Sequence, residues 1–212
     1  MKLYYNPVSS YSQKTLMAFY EKGVSFEPNV VDLMNPEANA AYRKIAPLGK
    51  VPLLVLDDGW MIPESSIIIE YLDTHFDGPR LIPADPDRAR QTRFFDRLSD
   101  LYLNDTMTTL LFEPSRKPED KNPRGVRKAK ETLDTMYALM DKSYATKTFA
   151  MGDEFTMADC AAAPCLFYLK RAYPYAQYPN VSAYADRLLS RPSYQKVMAE
   201  AKPVLERMFG AS

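Results

Sequence analysis

Apolar and polar positions change with a short period at the start of the chain and with a helical period over most of the rest. Lys2 to Tyr5 reads as a short aromatic-rich strand that stops at Asn6-Pro7. Ser12 to Lys22 has helical spacing and stops at Gly23, the residue best suited to a left-handed helix end. A second strand spans Phe26 to Val31, a helix runs from Pro36 to about Lys44, and Ala46-Pro47-Leu48-Gly49 is rich in turn formers. Val51 to Leu56 is apolar enough for a buried strand, and Asp57-Asp58-Gly59 reads as a tight hairpin turn into Trp60-Met61-Ile62. Polar Glu64-Ser65-Ser66 then opens a helical run, Ile67 to Phe76.

The periodicity stops at Asp77 to Pro86, where Gly and Pro gather. Beyond it the pattern is helical: Arg88 to Leu111, Arg124 to Lys142, Thr156 to Arg171 and Val181 to Leu189, with a polar, proline-bearing loop over Glu113 to Pro123. The expected organisation is an α/β domain over 1–77, a linker over 78–86 and an all-helical domain over 87–212. Thr156-x-x-Asp159 fits a capping arrangement in which the threonine serves a free amide and aspartate replaces the usual glutamate.

With 212 residues and 46% hydrophobic content, the chain has enough apolar material for a sizeable core. Lys+Arg and Asp+Glu are 27 each, which gives no basic surface for nucleic acid and none for an anionic membrane. No apolar run approaches the length of a membrane span and no signal-peptide pattern precedes Lys2, so a cytoplasmic protein is expected. Cys160 and Cys165 stand five apart in an alanine-rich helical stretch, a poor geometry for a disulfide, and read as small buried hydrophobes. His75 is the lone imidazole, so no metal site is expected.

Two segments carry candidate chemistry. Pro52 stands at the mouth of the Val51 to Leu56 strand, where it cannot donate a ladder hydrogen bond. A cis Val51-Pro52 bond there leaves the Val51 amide and carbonyl open to an extended peptide that adds as a strand. Glu64-Ser65-Ser66 opens a helix whose free amides favour a carboxylate. Together they describe a receptor for a small acidic peptide.

In these residues the chain resembles the cytosolic glutathione S-transferases. Met151-Gly152-Asp153-Glu154-Phe155-Thr156-Met157-Ala158-Asp159 resembles the helix-start motif of that family's C-terminal domain, and Arg191-Pro192-Ser193-Tyr194 its late segment. The resemblance implies a thioredoxin-like first domain and a helical second one. It also implies glutathione as co-substrate, a cis-proline at Pro52, Glu64-Ser65 on the γ-glutamyl group, and a homodimer. For the glycyl carboxylate it suggests a cation before the cis-proline, with Lys50 ahead of Lys44.

A glutathione enzyme must stabilise a thiolate whose free thiol has a pKa of about 8.5. The turn Val8-Ser9-Ser10-Tyr11-Ser12 offers four consecutive hydroxyls beside a helix N-terminus. An ungapped match of Ser9 to Gly23 onto the omega, tau and zeta patterns puts Ser9 at the catalytic position and Lys14 on the usual basic residue. A delta-like or beta-like register nominates Ser10 instead. Ser12 is expected as the helix cap and Tyr11 as pocket lining. Serine can only hydrogen-bond the thiolate, which favours conjugation, isomerisation or dehalogenation over disulfide exchange. Tyr102, Thr106, Met107, Leu110 and Leu111 recur near helical spacing and are expected on the co-substrate pocket. The expected activity is transfer of glutathione to a small electrophile. The alternatives are an isomerase of the maleylacetoacetate type, although Tyr11 stands where that class carries cysteine, and a non-catalytic regulatory protein on the same fold.

Overall fold

The structure, a computed structural model, describes residues 1–209. The chain forms two compact units, one from Met1–Leu81 with the last helix and the other from Ile82–Arg191. The first has a small mixed sheet and the second is helical, as expected.

In the first unit β1 (Lys2–Tyr5), β2 (Glu27–Val30), β3 (Leu53–Val55) and β4 (Met61–Pro63) make a sheet of order β2-β1-β3-β4. β1 and β2 are parallel, while β3 runs antiparallel to β1 and β4 antiparallel to β3. The register places Leu3 opposite Leu54 and Leu54 opposite Ile62. All three are buried, because alternate strand residues point to one face. α1 (Ser10–Lys22) and α3 (Ser65–His75) pack together and bring Leu16, Phe19, Ile68, Ile69 and Leu72 into the core. A second cluster, Val31, Tyr42, Val51 and Leu53, gathers with Tyr4 and Val55, and Tyr42 reaches it from α2 (Pro36–Arg43).

α1 starts two residues earlier than its spacing suggests. Ser9 is the N-cap, its oxygen accepting from the Ser12 amide at 3.4 Å. Ser12 is fully buried inside the helix, where its Oγ accepts from the Asn6 amide at 3.2 Å, so the cap expected at Ser12 belongs to Ser9. Gly23 ends α1 with φ 66°, the left-handed stop that glycine adopts without a steric penalty.

The helical unit holds α4 (Pro86–Leu98), α5 (Asp105–Phe112), α6 (Pro123–Tyr144), α7 (Met157–Ala172) and α8 (Pro179–Leu189). The single run expected over Arg88 to Leu111 is broken by a π-helical segment, Ser99–Asn104, between α4 and α5. The loop expected over Glu113 to Pro123 contains two short 3-10 turns, Glu113–Ser115 and Pro118–Asp120. α7 opens with a full capping box, Thr156 taking the Asp159 amide and Asp159 taking the Thr156 amide. The Asp159 carboxylate also accepts from the Ala150 amide at 2.9 Å and the Tyr184 hydroxyl at 2.7 Å. Burial pushes its carboxyl pKa up, and these three donors, together with the Thr156 hydroxyl at 3.1 Å, oppose the shift.

The last helix, α9 (Pro192–Phe209), lies beyond the helical runs read from spacing and groups with the first unit, whereas the expected helical domain runs from 87 to 212. It packs on α1. Tyr194, Val197 and Ala201 are buried, and Glu200 accepts from the hydroxyls of Tyr5, at 2.6 Å, and Tyr20. The boundary between units falls at Leu81, inside the expected linker. The Leu81 amide donates to Asp73 at 2.7 Å, and the Lys22 ammonium reaches both Asp73 and the Pro79 carbonyl. The Lys22 and Asp73 side chains are both buried. Cys160 and Cys165 are buried free thiols, and among the described residues no helix is long and apolar enough to cross a membrane.

Candidate active site

The strand registers gather the candidate residues at one edge of the sheet. Tyr4 lies opposite Leu53, so continuing the antiparallel register carries Val51-Pro52 beside the end of β1, where the turn Asn6 to Ser9 begins. Leu53 lies opposite Pro63, so the same continuation carries Pro52 and Val51 beside Glu64 and Ser65. This edge is the carboxyl end of the parallel pair β1 and β2, where α/β sheets commonly hold ligands.

At this edge the Val51-Pro52 bond is cis. Both residues are buried and stand outside the β3 ladder, which starts at Leu53. Glu64 is exposed and adopts φ 70° and ψ 121°. Among the described residues it is the one non-glycine residue with positive φ, a conformation costing roughly 1–3 kcal/mol. It is the N-cap of α3 yet makes no side-chain cap hydrogen bond there. Helices α1, α2, α4 and α6 each have such a cap, from Ser9, Asn35, Asp85 and Asn122. The first amides of α3, beginning at buried Ser65, therefore rely on something other than the cap side chain.

The turn between β1 and α1 is held from several sides. The Asn6 carbonyl accepts from the Ser9 amide at 3.0 Å, and the Asn6 side chain accepts from Val8 and donates to Val31. Ser9 and Ser10 are both partly exposed, Ser9 as the cap and Ser10 as the first helical residue. The Ser9 oxygen is the acceptor in its cap bond, which leaves the hydroxyl hydrogen free to point toward a ligand. Lys50 is exposed, and its carbonyl accepts from the Tyr42 hydroxyl at 2.7 Å; Lys44 is exposed at the end of α2.

Two residues lie beneath the turn: Lys14, which the ungapped match puts on the usual basic residue, and Gln13, for which sequence gives no role. Lys14 is 1% exposed, and its ammonium donates to Ser66 Oγ at 2.9 Å, joining α1 to the first turn of α3. Gln13 is fully buried, with its amide on the Pro7 carbonyl at 2.9 Å. Their signal in sequence is weak: they stand in a polar stretch from Ser12 to Thr15, directly before the apolar run Leu16 to Phe19. Of the residues expected on the co-substrate pocket, Thr106, Met107 and Leu110 are buried within the helical unit, and Tyr102 is exposed.

Residues 3–80 match the family model for the glutathione S-transferase N-terminal domain, and residues 103–192 match that for the C-terminal domain. Glutathione S-transferase hmp2 of Hypomyces subiculosus is 30% identical over 95% of this chain and 99% of its own. The chain belongs to the glutathione S-transferase family. It is also 30% identical to a probable maleylacetoacetate isomerase of Caenorhabditis elegans, over 92% of this chain and 91% of that protein. Among solved structures, a glutathione S-transferase of Methylobacillus flagellatus with glutathione bound superposes with a TM-score of 0.83 at 28% identity, over 92% of this chain and 98% of the other. For this family member, the turn, Val51-Pro52 and the start of α3 form one continuous candidate site.

Proposed function

We propose that the protein is a cytoplasmic, homodimeric glutathione transferase that binds glutathione along the edge formed by the Ser9 turn, Val51-Pro52 and α3. The observation that carries this reading is the start of α3, where Glu64 is held at φ 70° with no side-chain cap and Ser65 is buried beside it. Amides opening a helix favour an anion, and here they take the free α-carboxylate of the γ-glutamyl unit of glutathione, with Glu64 on its ammonium. Val51 pairs its backbone with the cysteinyl unit, as an added strand pairs with a sheet edge. Lys50 supplies the charge for the glycyl carboxylate.

The sulfur then lies toward the turn. Ser9 donates its hydroxyl hydrogen to the thiolate, with Ser10 as the alternative donor, and the N-terminus of α1 adds a favourable field. The thiolate attacks a small electrophile, forming a carbon–sulfur bond as the leaving group departs or as the electron pair moves onto the acceptor. Serine stays unmodified, and no metal takes part. Exposed Trp60, Met61 and Ile67, on β4 and α3 and the turn before them, favour association of two copies.

Titration calorimetry tests the binding half. Glutathione should bind the wild-type protein, and Glu64→Ala should weaken it by about tenfold or more, as the roughly 1.5–3 kcal/mol of a charge-assisted contact implies, without unfolding. Unchanged affinity removes the ligand from this edge. Turnover is tested with aryl halides, isothiocyanates, haloalkanes and a maleylacetone analogue. The relative in Caenorhabditis elegans favours isomerisation as the second reading, and activity with maleylacetone alone would establish it. Tight glutathione binding with no turnover across the panel would make the protein a regulatory binder.

A further inference from the structure

Buried polar side chains in a packed unit are held by their hydrogen bonds, and Gln13 has both ends of its amide occupied. Its Nε2 donates to the Pro7 carbonyl at 2.9 Å, and its Oε1 accepts from the Tyr194 hydroxyl of α9 at 3.4 Å. Its backbone amide donates to the Ser9 carbonyl at 2.8 Å. One residue thus holds the turn at Pro7 and at Ser9 itself, and links it to α9. The chemistry fixes the order: the Pro7 carbonyl can only accept, so the NH2 end faces it, and the oxygen is left for a donor. Tyr194 is that donor, 1% exposed, and Gln13 is fully buried, so water does not compete for either bond. The rest of α9 is latched beside it, with Ser193 on Glu21 and Glu200 on Tyr5 and Tyr20.

We infer that Gln13, oriented by the Tyr194 hydroxyl, is a positioning residue for Ser9, so that the terminal helix sets the reactivity of the bound thiol. This rests on the reading of Ser9 as the thiolate donor. Gln13 and Tyr194 touch neither sulfur nor electrophile. They hold the Pro7 carbonyl and the first turn of α1, and so the direction in which the Ser9 hydroxyl points. A displaced hydroxyl still lets glutathione bind through α3 and Val51, but it stabilises the thiolate less. The effect falls on the thiol pKa and kcat rather than on KM.

The test compares Tyr194→Phe and Gln13→Met with Ser193→Ala, which cuts the neighbouring bond from α9 to Glu21. In Tyr194→Phe the bound glutathione thiol, titrated by thiolate absorbance, should rise by about half a pKa unit to one unit, and kcat should fall roughly 3- to 10-fold with KM for glutathione within about twofold. Hydrogen exchange at the Ser9 and Gln13 amides should quicken in Tyr194→Phe and Gln13→Met and stay at the wild-type rate in Ser193→Ala. Tyr194→Phe alone decides if Gln13→Met fails to fold. Unchanged exchange and thiol pKa in Tyr194→Phe overturn the inference, as does an equal change in Ser193→Ala, which would mark a general loosening of α9. Faster exchange with an unmoved thiol pKa overturns the link to reactivity. If the wild-type protein does not depress the glutathione thiol at all, the Ser9 reading fails instead, and the exchange comparison still shows whether α9 holds the turn.

Discussion

Replacing Ser9 by alanine separates two roles that the same oxygen carries. As a cap it accepts from the Ser12 amide at 3.4 Å, a long bond, so its loss should cost near the lower end of the usual range, about 0.5 kcal/mol. For a chain of this size that lowers the melting temperature by only about 1–2 °C. As the thiolate donor it makes a hydrogen bond to a charged group, for which roughly 1.5–3 kcal/mol is typical, and at 1.36 kcal/mol per pKa unit its loss raises the bound thiol by about one to two units. Below that pKa the thiolate fraction, and with it the conjugation rate, should fall about 10- to 100-fold and recover as pH rises. The assay is thiolate absorbance of the glutathione complex against pH, run beside thermal unfolding, with Ser10→Ala as the comparison. Ser9→Thr, which keeps a hydroxyl and a good cap, should restore most of both. An unshifted thiol in Ser9→Ala, with the shift in Ser10→Ala, would refute the assignment and establish the alternative register.

Asp159→Ala should destabilise the helical unit by about 4 kcal/mol, since buried donors from Ala150, Thr156 and Tyr184 lose their acceptor, and denaturant unfolding within 1 kcal/mol of wild type would contradict this. Asp159→Asn should cost less, because one oxygen remains while its NH2 faces a backbone donor. Asp73→Ala should cost about 3–5 kcal/mol in the same assay by stranding the buried Lys22 ammonium, although a neutral Lys22→Met, Asp73→Leu pair should recover much of it. Burial pushes up the pKa values of Tyr5, Tyr20, Tyr137, Tyr144, Tyr175 and Tyr184, and that of Tyr42 to about 12. Below about pH 10 both folded and unfolded chains keep these protons; above it the unfolded chain releases protons that the folded one holds, so stability should fall as pH rises past 10. Tyrosinate absorbance that titrates fully near pH 10 while the protein stays folded would contradict that.

Much of the architecture was legible because its signals are local. Gly23, Pro36, Asp57-Asp58-Gly59 and the Thr156 to Asp159 capping pair each fix a boundary by the backbone they favour, and the elements appear there. The π-helical segment was not legible, since Ser99 to Asn104 keeps the apolar spacing of its neighbours and differs only in hydrogen bonding. α9 was legible in principle: Tyr194, Val197 and Ala201 recur at helical spacing, but Pro203 and the charges at Lys196, Glu200, Lys202 and Glu206 obscure the run. The candidate site divides in the same way. Pro52 and Glu64-Ser65 announce themselves through what proline and a helix start do to the backbone. Gln13 does not, and Lys14 does so only through the family match, because their contacts are with segments far along the chain, Tyr194 for Gln13 and Ser66 for Lys14.

The place of α9 bears on the order in which the protein is made. Tyr5 and its partner Glu200 stand 195 residues apart, and the helical unit is an insertion between them. A ribosome that releases residues 82–191 has supplied everything the helical unit needs, while the first unit still lacks the helix that covers α1. During synthesis the helical unit can therefore close before the first unit is complete, and the buried hydroxyl of Tyr5 waits for the segment after Arg191 before it finds its acceptor. Because loop-closure cost grows only as the logarithm of length, the long wait adds little to the final free energy. What it sets is timing: the turn that bears Ser9 receives its support from α9 only after the whole helical unit has been made.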